Sequence, residues 1–583
     1  MSTMLYKRVD YSLSKLLHDI EHGDIALPDL QRPFVWPAAK VRDLFDSMYR
    51  GFPVGYFLFW ANEHLTDTKQ IGVEQKQAKV PRLLIVDGQQ RLTSLYAVLK
   101  GRRVLNKDFK ETSIKISFRP IDGQFDVADA AIERDPEYIY DISELWKQGA
   151  SSFRFIRQFI ENLCNHRDVT DEEVNVISEN IDRLYKLQEY QFTAMEISST
   201  VDEEQVSDIF VRINSQGKKL NQSDFILTLL SVFWDQGRKE LEAFARDSRQ
   251  AGGERASAFN HFIHPDPDQM LRVAVGLGFK RARLKNVYSI LRGKDLETGE
   301  VSPDRRDQQF EVLKHAQASA LNMQNWHDFL KALIKAGFRS KAMVSSKINI
   351  IYAYIMYLIG KEDFRVDAYR LRQLIAKWYF MLVLTGRYTS SPETVMEADL
   401  ARLRGVRNQD EFVGTLEKII NDSLTNDFWA ITLVNKLESS TSRNPALHAY
   451  YAALNILGAN VLFSSMKVSE LLDPMLHANR NAIEIHHLFP KKYLKSIGIN
   501  ESKLINQVAN FALVEWGDNV RISDESPEEY FPKYASRFPS AELSEMMEMH
   551  ALPDNWTSLE YSRFLEERRK KMAHVIKQGF LRL

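Results

Sequence analysis

At 583 residues, with 44% hydrophobic, 11% aromatic and 27% charged side chains, the chain exceeds one core and predicts three or so folded units, which excludes wholesale disorder and a fibrous repeat. Lys and Arg number 77 against 78 Asp and Glu, so the net charge of -1 excludes a global pull toward polyanions, and any such site has to be local. The one cysteine, Cys164, excludes an intrachain disulfide and a cysteine-built zinc cluster, so metal chemistry must use His, Asp, Glu or Asn.

In chain order, the N-terminal MSTMLYKRVDYSLSKLL mixes charges among its apolar residues and lacks the apolar core of a signal peptide, which predicts a cytoplasmic protein. Two prolines flank Gln31 and Arg32 in LPDLQRPFVW (27–36), stiffening a backbone that can hold both donors toward an anion or form an aromatic-capped surface loop. LLIVD (83–87) reads as a strand and TSLYAVLKG (93–101) as a helix. Between them lies Asp87-Gly88-Gln89-Gln90-Arg91. A strand that delivers a carboxylate, a glycine that permits a sharp turn and a helix N-terminus suit a phosphate, with Asp87 toward Mg²⁺, Arg91 toward phosphate oxygens and the glutamines toward water. No Walker A sequence is present, so this is not a P-loop. IKISF (114–118) and FTAMEIS (192–198) read as further strands, and SDFILTLLSVFW (223–234) as a helix. The stretch FVRINSQGKKL (210–220) adds Arg212, Asn214 and a glycine-containing basic turn. Residues 1–235 therefore predict an α/β or α+β domain.

Residues 236–440 show mostly helical spacing, as in FLKALIKAGF (329–338) and LRQLIAKWYFMLVLTGRY (371–388), and predict a helical middle. The most apolar stretch, INIIYAYIMYLIG (348–360), is shorter than the roughly 20 residues of a membrane span and predicts a buried helix, so no membrane is expected. Two basic stretches offer local positive charge to DNA: Lys280, Arg281, Arg283 and Lys285 in the middle, and Arg568, Arg569, Lys570 and Lys571 on a C-terminal helix expected over 558–580.

Residues 441–583 predict a third unit. EIHHLFP (484–490) ends a strand-like piece in the pair His486-His487, and a second piece, NFALVEW (510–516), precedes a polar turn carrying Asn519. Metal-assisted phosphodiester hydrolysis needs a base for water, a divalent ion on the phosphate and a group that aims the base. His487 supplies the base, His486 and Asn519 the ion ligands, and Asn510 braces the loop or orients His487. So neutral and sparse a set suits Mg²⁺ or a transition ion such as Mn²⁺ rather than structural zinc.

The back segment resembles the HNH, or ββα-metal, nucleases, in the branch with the pattern [E/D/H]-H-I/L-x-P followed by two asparagines. With the DGQQR turn ahead of it, the chain resembles, over about 235 residues at the front and about 140 at the back and by position alone in the helical middle, fused DGQQR–HNH proteins: the GmrSD-like type IV restriction enzymes and the SspE-like proteins. The resemblance implies a multidomain α+β chain: a ParB/sulfiredoxin-like α/β domain (1–235), a helical linker domain (236–440) and an HNH nuclease domain (441–583). It implies NTP binding and hydrolysis (GTP, ATP or UTP) at Asp87, Gly88, Gln89, Gln90 and Arg91, supported by Gln31, Arg32, Arg212 and Asn214, and Mg²⁺- or Mn²⁺-dependent cleavage at His486, His487, Asn510 and Asn519. The partners it implies are double-stranded phage DNA with modified bases, such as glucosylated hydroxymethylcytosine, and a nucleotide, with a homodimer left open. A phosphorothioate-sensing nickase with NTPase activity, a nucleotide-dependent DNA-binding regulator with an inert HNH unit and an RNA-cutting toxin are the alternatives.

Overall fold

The computed structural model describes residues 5–28, 36–61, 68–69, 82–106, 110–147, 151–201, 205–206, 209, 226–227, 230, 234–252, 256–291, 293–294, 298, 300, 302–475 and 485–583. It is a mixed α and β protein, mainly helical, that divides into two compact units, Met1–Arg238 and Lys239–Leu583. No helix among the described residues is long and apolar enough to cross a membrane.

The first unit is built on a mixed sheet. Its strands are β1 (Tyr6–Ser12), β2 (Ile25–Pro28), β3 (Phe57–Ala61), β4 (Thr68–Lys69) and β5 (Leu83–Asp87). The short pairs β6 (Val104–Leu105) with β7 (Glu111–Thr112) and β8 (Ile116–Arg119) with β9 (Gln124–Val127) stand apart, and β10 (Gln191–Ile197) returns to the main sheet. The order there is β1-β10-β3-β5-β2-β4, with β10 parallel to β3, β2 parallel to β5 and the other pairs antiparallel. Leu83 to Val86 and Phe57 to Trp60 are buried throughout, so these two strands are apolar on both faces and sit centrally. The Ser12 hydroxyl caps α1 (Leu13–Glu21), which turns Leu13, Leu16, Leu17 and Ile20 into the core. There they meet α2 (Ala38–Tyr49) and α3 (Gln89–Leu99). A capping box between Thr170 and Glu173 starts α5 (Asp171–Tyr185), which follows α4 (Ser152–Cys164). IKISF forms its strand two residues later than its alternation predicts, because the β8–β9 hairpin register sets its limits. Helix α3 starts four residues before the expected TSLYAVLKG, directly at Gly88.

The second unit is helical with one small ladder. It contains α6 (Pro267–Phe279), α7 (Pro303–Ala320), α8 (Met323–Lys335), α9 (Lys347–Leu358), α10 (Ala368–Thr385), α11 (Gln409–Ser423) and α12 (Pro445–Leu457). Helix α9 is the apolar stretch read from the sequence, buried at every position from Asn349 to Leu358, as its lack of a polar face demands. Beyond it, β11 (Ile485–His487) leads into α13 (Lys491–Ser496) and α14 (Ser502–Ile505). Strand β12 (Phe511–Leu513) then pairs back antiparallel onto β11 and runs almost directly into α15 (Trp516–Ile522). Next come α16 (Pro527–Ala535), α17 (Ser540–Met549) and α18 (Tyr561–Arg582), the last being the expected C-terminal helix. Helix α18 packs on α12, where Gly579 lets the two backbones approach: a Cβ there would lie 2.6 Å from that of Ala453.

Candidate functional site

The β11–β12 ladder pairs Ile485 with Leu513, His486 with Ala512 and His487 with Phe511. Successive strand residues face opposite sides, so the two imidazoles enter different surroundings. His486 turns inward and is 3% exposed. Its Nδ1 lies 2.9 Å from Oδ1 of Asn519 on α15, while its Nε2 is buried without a hydrogen-bond partner. Burial lowers its pKa to about 4, the Asn519 contact opposes the shift and the charge of Arg568 adds to it. His487 is only partly buried, lies nearly perpendicular to the Phe511 ring at 5.0 Å, and places Nε2 3.1 Å from Oδ1 of Asn506. Its pKa is also lowered to about 4, by burial first and then by the charge of Lys491. Both rings are therefore neutral at neutral pH, the state in which histidine binds a metal or accepts a proton.

Asn510 is fully buried and acts on the backbone. Its Oδ1 accepts from the Phe489 N–H at 2.8 Å, and its Nδ2 donates to the carbonyls of Phe489 at 3.0 Å and Ile505 at 3.1 Å. Of the two roles expected for it, bracing is the one its contacts make; the amide beside His487 is Asn506, which sequence reasoning missed. Nothing in the spacing marks Asn506, because α14 is a single turn whose face the sequence pattern does not define. Below the ladder the Tyr530 hydroxyl donates to the Leu488 carbonyl at 2.7 Å.

Arg568 is a correction. The sequence placed it on a DNA-facing surface, yet it is 0% exposed and its guanidinium donates to the carbonyls of Ala509 at 2.6 Å and of His550 at 3.2 and 3.4 Å. A side chain sealed in this way reaches no phosphate. Other members of the two basic stretches are also engaged. Arg569 donates to Gln507 at 2.6 Å, Lys570 pairs with Glu566 at 2.6 Å, Lys280 with Asp363 at 2.6 Å and Arg281 with Glu397 at 2.6 Å. Of the eight, Arg283, Lys285 and Lys571 are exposed and outside these pairs. Nearer the ladder, Lys491, Lys495 and Lys503 are exposed and form no ion pair among the described residues, whereas Lys492 binds Asp524 at 2.6 Å.

The ladder's donor set can be tested against a divalent ion. Two ligands held at about 2.1 Å in cis positions of an octahedral ion lie roughly 3.0 Å apart. The 2.9 Å between His486 Nδ1 and Asn519 Oδ1 matches that separation. No cluster of three or more His, Cys, Asp or Glu groups suited to a metal occurs among the described residues. At that distance the two atoms are hydrogen-bonded to each other, so an ion held by both would replace that bond, and a two-ligand set of this kind does not make structural zinc.

In the first unit, β5 delivers Asp87 beside Leu58 of β3, and Gly88 breaks the strand at φ +93° as the cap of α3. Only glycine suits this place: a Cβ would add left-handed strain and lie 2.5 Å from the Phe57 ring. Gln89 and Gln90 open the helix, both partly buried. Arg91, expected to hold phosphate, instead donates from its two terminal nitrogens to the carbonyls of Val54 at 2.6 Å and Tyr56 at 2.5 Å. It also lies over Phe57, 5.5 Å from the ring centre. Burial lowers its pKa and the charge of Asp87 opposes this. Arg91 thus ties the FPVGY loop (52–56) to the DGQQR turn. Gln31, Arg32, Arg212 and Asn214, with most of the 223–234 helix, lie outside the described residues.

Over most of its length the chain is similar to the uncharacterized protein MJ0686 of Methanocaldococcus jannaschii, 23% identical over 551 residues that cover 89% of this chain and 86% of that protein. Residues 13–231, a stretch that contains the DGQQR turn, match the family model for the GmrSD restriction endonuclease N-terminal domain.

Proposed function

We propose that the chain is a nucleotide-regulated, divalent-metal-dependent DNA endonuclease of the HNH type that cuts or nicks modified phage DNA. The observation that carries the reading is the β11–β12–α15 arrangement, in which His486 and Asn519 converge at 2.9 Å beside a neutral, partly accessible His487. The GmrSD match over residues 13–231 supports DNA as the partner and restriction as the setting. In this reading His487 takes a proton from the attacking water, a task that its neutral form performs. A pKa of about 4 is low for a base working near neutrality, and the negative charge of a seated phosphate raises it. Asn510 fixes the backbone on which His487 sits, so the base is aimed by the fold. His486 and Asn519 would hold the ion, which supplies positive charge to the scissile phosphate when bound. The unpaired Lys491, Lys495 and Lys503 would contact flanking phosphates.

In the first unit, the start of α3 would receive the nucleotide phosphates and Asp87 would hold their Mg²⁺, with Arg91 keeping the turn in shape.

The test is cleavage of matched phage DNAs, unmodified, hydroxymethylated, glucosylated and phosphorothioated, with each NTP and with Mg²⁺ or Mn²⁺. Cutting confined to a modified DNA, and lost in His487→Ala by roughly 10²–10⁴-fold with folding intact, is the expected result. Undiminished cutting by His487→Ala overturns the assignment of the base. Cleavage of RNA alone overturns the substrate.

A further inference from the structure

We infer that Asn506 is the positioning residue of His487: its side-chain carbonyl holds the Nε2–H and leaves Nδ1 as the nitrogen that takes the proton from water. This rests on the reading of His487 as the base. The orientation of the Asn506 amide follows from its other contacts. Its Nδ2 lies 3.0 Å from the carbonyl oxygen of Ser502 and 3.1 Å from the Ser502 hydroxyl. A carbonyl oxygen only accepts, so the atom facing it is the NH₂, and the atom left facing His487 Nε2 at 3.1 Å is Oδ1. An amide oxygen in turn only accepts, so Nε2 carries the proton and Nδ1 the lone pair.

Nδ1 makes no hydrogen bond among the described residues, and the His487 side chain is only partly buried, as a group that meets water must be. The Phe511 ring, nearly perpendicular at 5.0 Å, limits rotation of the imidazole about the axis that Asn506 sets. Two asparagines four residues apart thus divide the work: Asn510 holds the backbone of the loop and Asn506 the ring.

The test compares Asn506→Leu, Asn506→Asp and Ser502→Ala in the full-length chain. Asn506→Leu should lower kcat about 10–100-fold with KM, DNA affinity and melting temperature unchanged, as expected when the partner that orients a functional histidine is lost. Asn506→Asp keeps an acceptor toward the ring but sets a carboxylate oxygen against the Ser502 carbonyl, so its activity should fall between that of Asn506→Leu and the wild type, while Ser502→Ala, which removes the hydroxyl contact and leaves the backbone one, should cost no more than a few-fold. Asn506→Leu turning over like the wild type while His487→Ala is inactive overturns the inference. A readout independent of cleavage is the ¹⁵N spectrum of imidazole-labelled protein, with His487→Ala as the assignment control. A proton on Nε2 of His487 is expected, and a proton on Nδ1 overturns the inference whether or not DNA is cut. Wild-type protein that cuts no DNA but shows the Nε2–H form sinks the nuclease reading and leaves the positioning of the ring standing.

Discussion

Arg568→Met separates a structural from a DNA-binding role for the C-terminal basic stretch. Methionine has similar reach and no donor, so the carbonyls of Ala509 and His550 lose the guanidinium that satisfies them. A buried acceptor left unmade costs about 1–3 kcal/mol, which for two gives about 2–6 kcal/mol. At about 2–4 °C per kcal/mol, the second unit should melt roughly 10 °C lower. Ala509 precedes Asn510, so the variant also loosens the brace under the histidines. The assay is melting followed by circular dichroism, with DNA affinity measured across a salt series. Arg568→Met should leave the salt dependence of binding to the remaining folded protein unchanged. Lys491→Gln with Lys495→Gln should do the reverse, keeping the melting temperature and flattening log K against log salt by about 1.8, or 0.9 per phosphate contact. An unchanged melting temperature in Arg568→Met, with a salt slope reduced by about one, would refute the argument.

Acid should destabilise the second unit through His550, whose pKa burial lowers to about 4 against an unfolded value of about 6.5. A depressed folded pKa gives stability that is complete above pH 6.5 and lost as pH falls toward 4, about 3 kcal/mol in all. His550→Gln should flatten the fall of urea midpoint over that window by about one proton, and an unaltered slope counts against it. Gly88→Ala should destabilise the first unit by about 1–3 kcal/mol and displace Phe57 or Arg91, read by thermal unfolding; a neutral outcome would contradict the left-handed turn. His486→Asp replaces the proposed nitrogen ligand by a charged oxygen and should shift ion preference from Mn²⁺ toward Mg²⁺ in the cleavage assay, and identical metal profiles in the two proteins would remove His486 from the proposed ligand set.

The sequence was most informative where one residue type answers one physical demand. Continuous apolar runs marked the central strand Leu83–Asp87 and the buried helix Lys347–Leu358, because only an element covered on every side tolerates such a run. Of the two asparagines after the histidine pair, Asn510 was visible at the start of an apolar strand and Asn519 in the polar turn that follows it, and the fold brings Asn519 onto His486. Arg91 and Arg568 misled for a common reason: a guanidinium in a basic or phosphate-like context reads as an anion ligand, and its alternative use on backbone carbonyls depends on chain that arrives from far away. Val54 and Tyr56 reach Arg91 across the sheet, and His550 reaches Arg568 from α17. Asn506 escaped notice because its partner is set by how α14 folds back on β11, and one helical turn carries no periodic signal.

The clasp made by Asn510 also bears on how the segment around the histidine pair can vary. Its amide binds the N–H and the carbonyl of Phe489, while Leu488 donates to the Asn510 backbone at 2.9 Å. The stretch between these points is thereby closed at its base, in the way a drawstring closes a bag, whatever hangs from it. Its far tip, around Gly498 and Asn500, is exposed or partly exposed and lies past α13 and short of the Ser502–Asn506 turn. Doubling the length of a flexible closed loop costs only about 0.6 kcal/mol, so the tip can accept added residues while the histidines below keep their places. Added length can therefore accumulate at that tip, while the histidine pair beneath it keeps its setting.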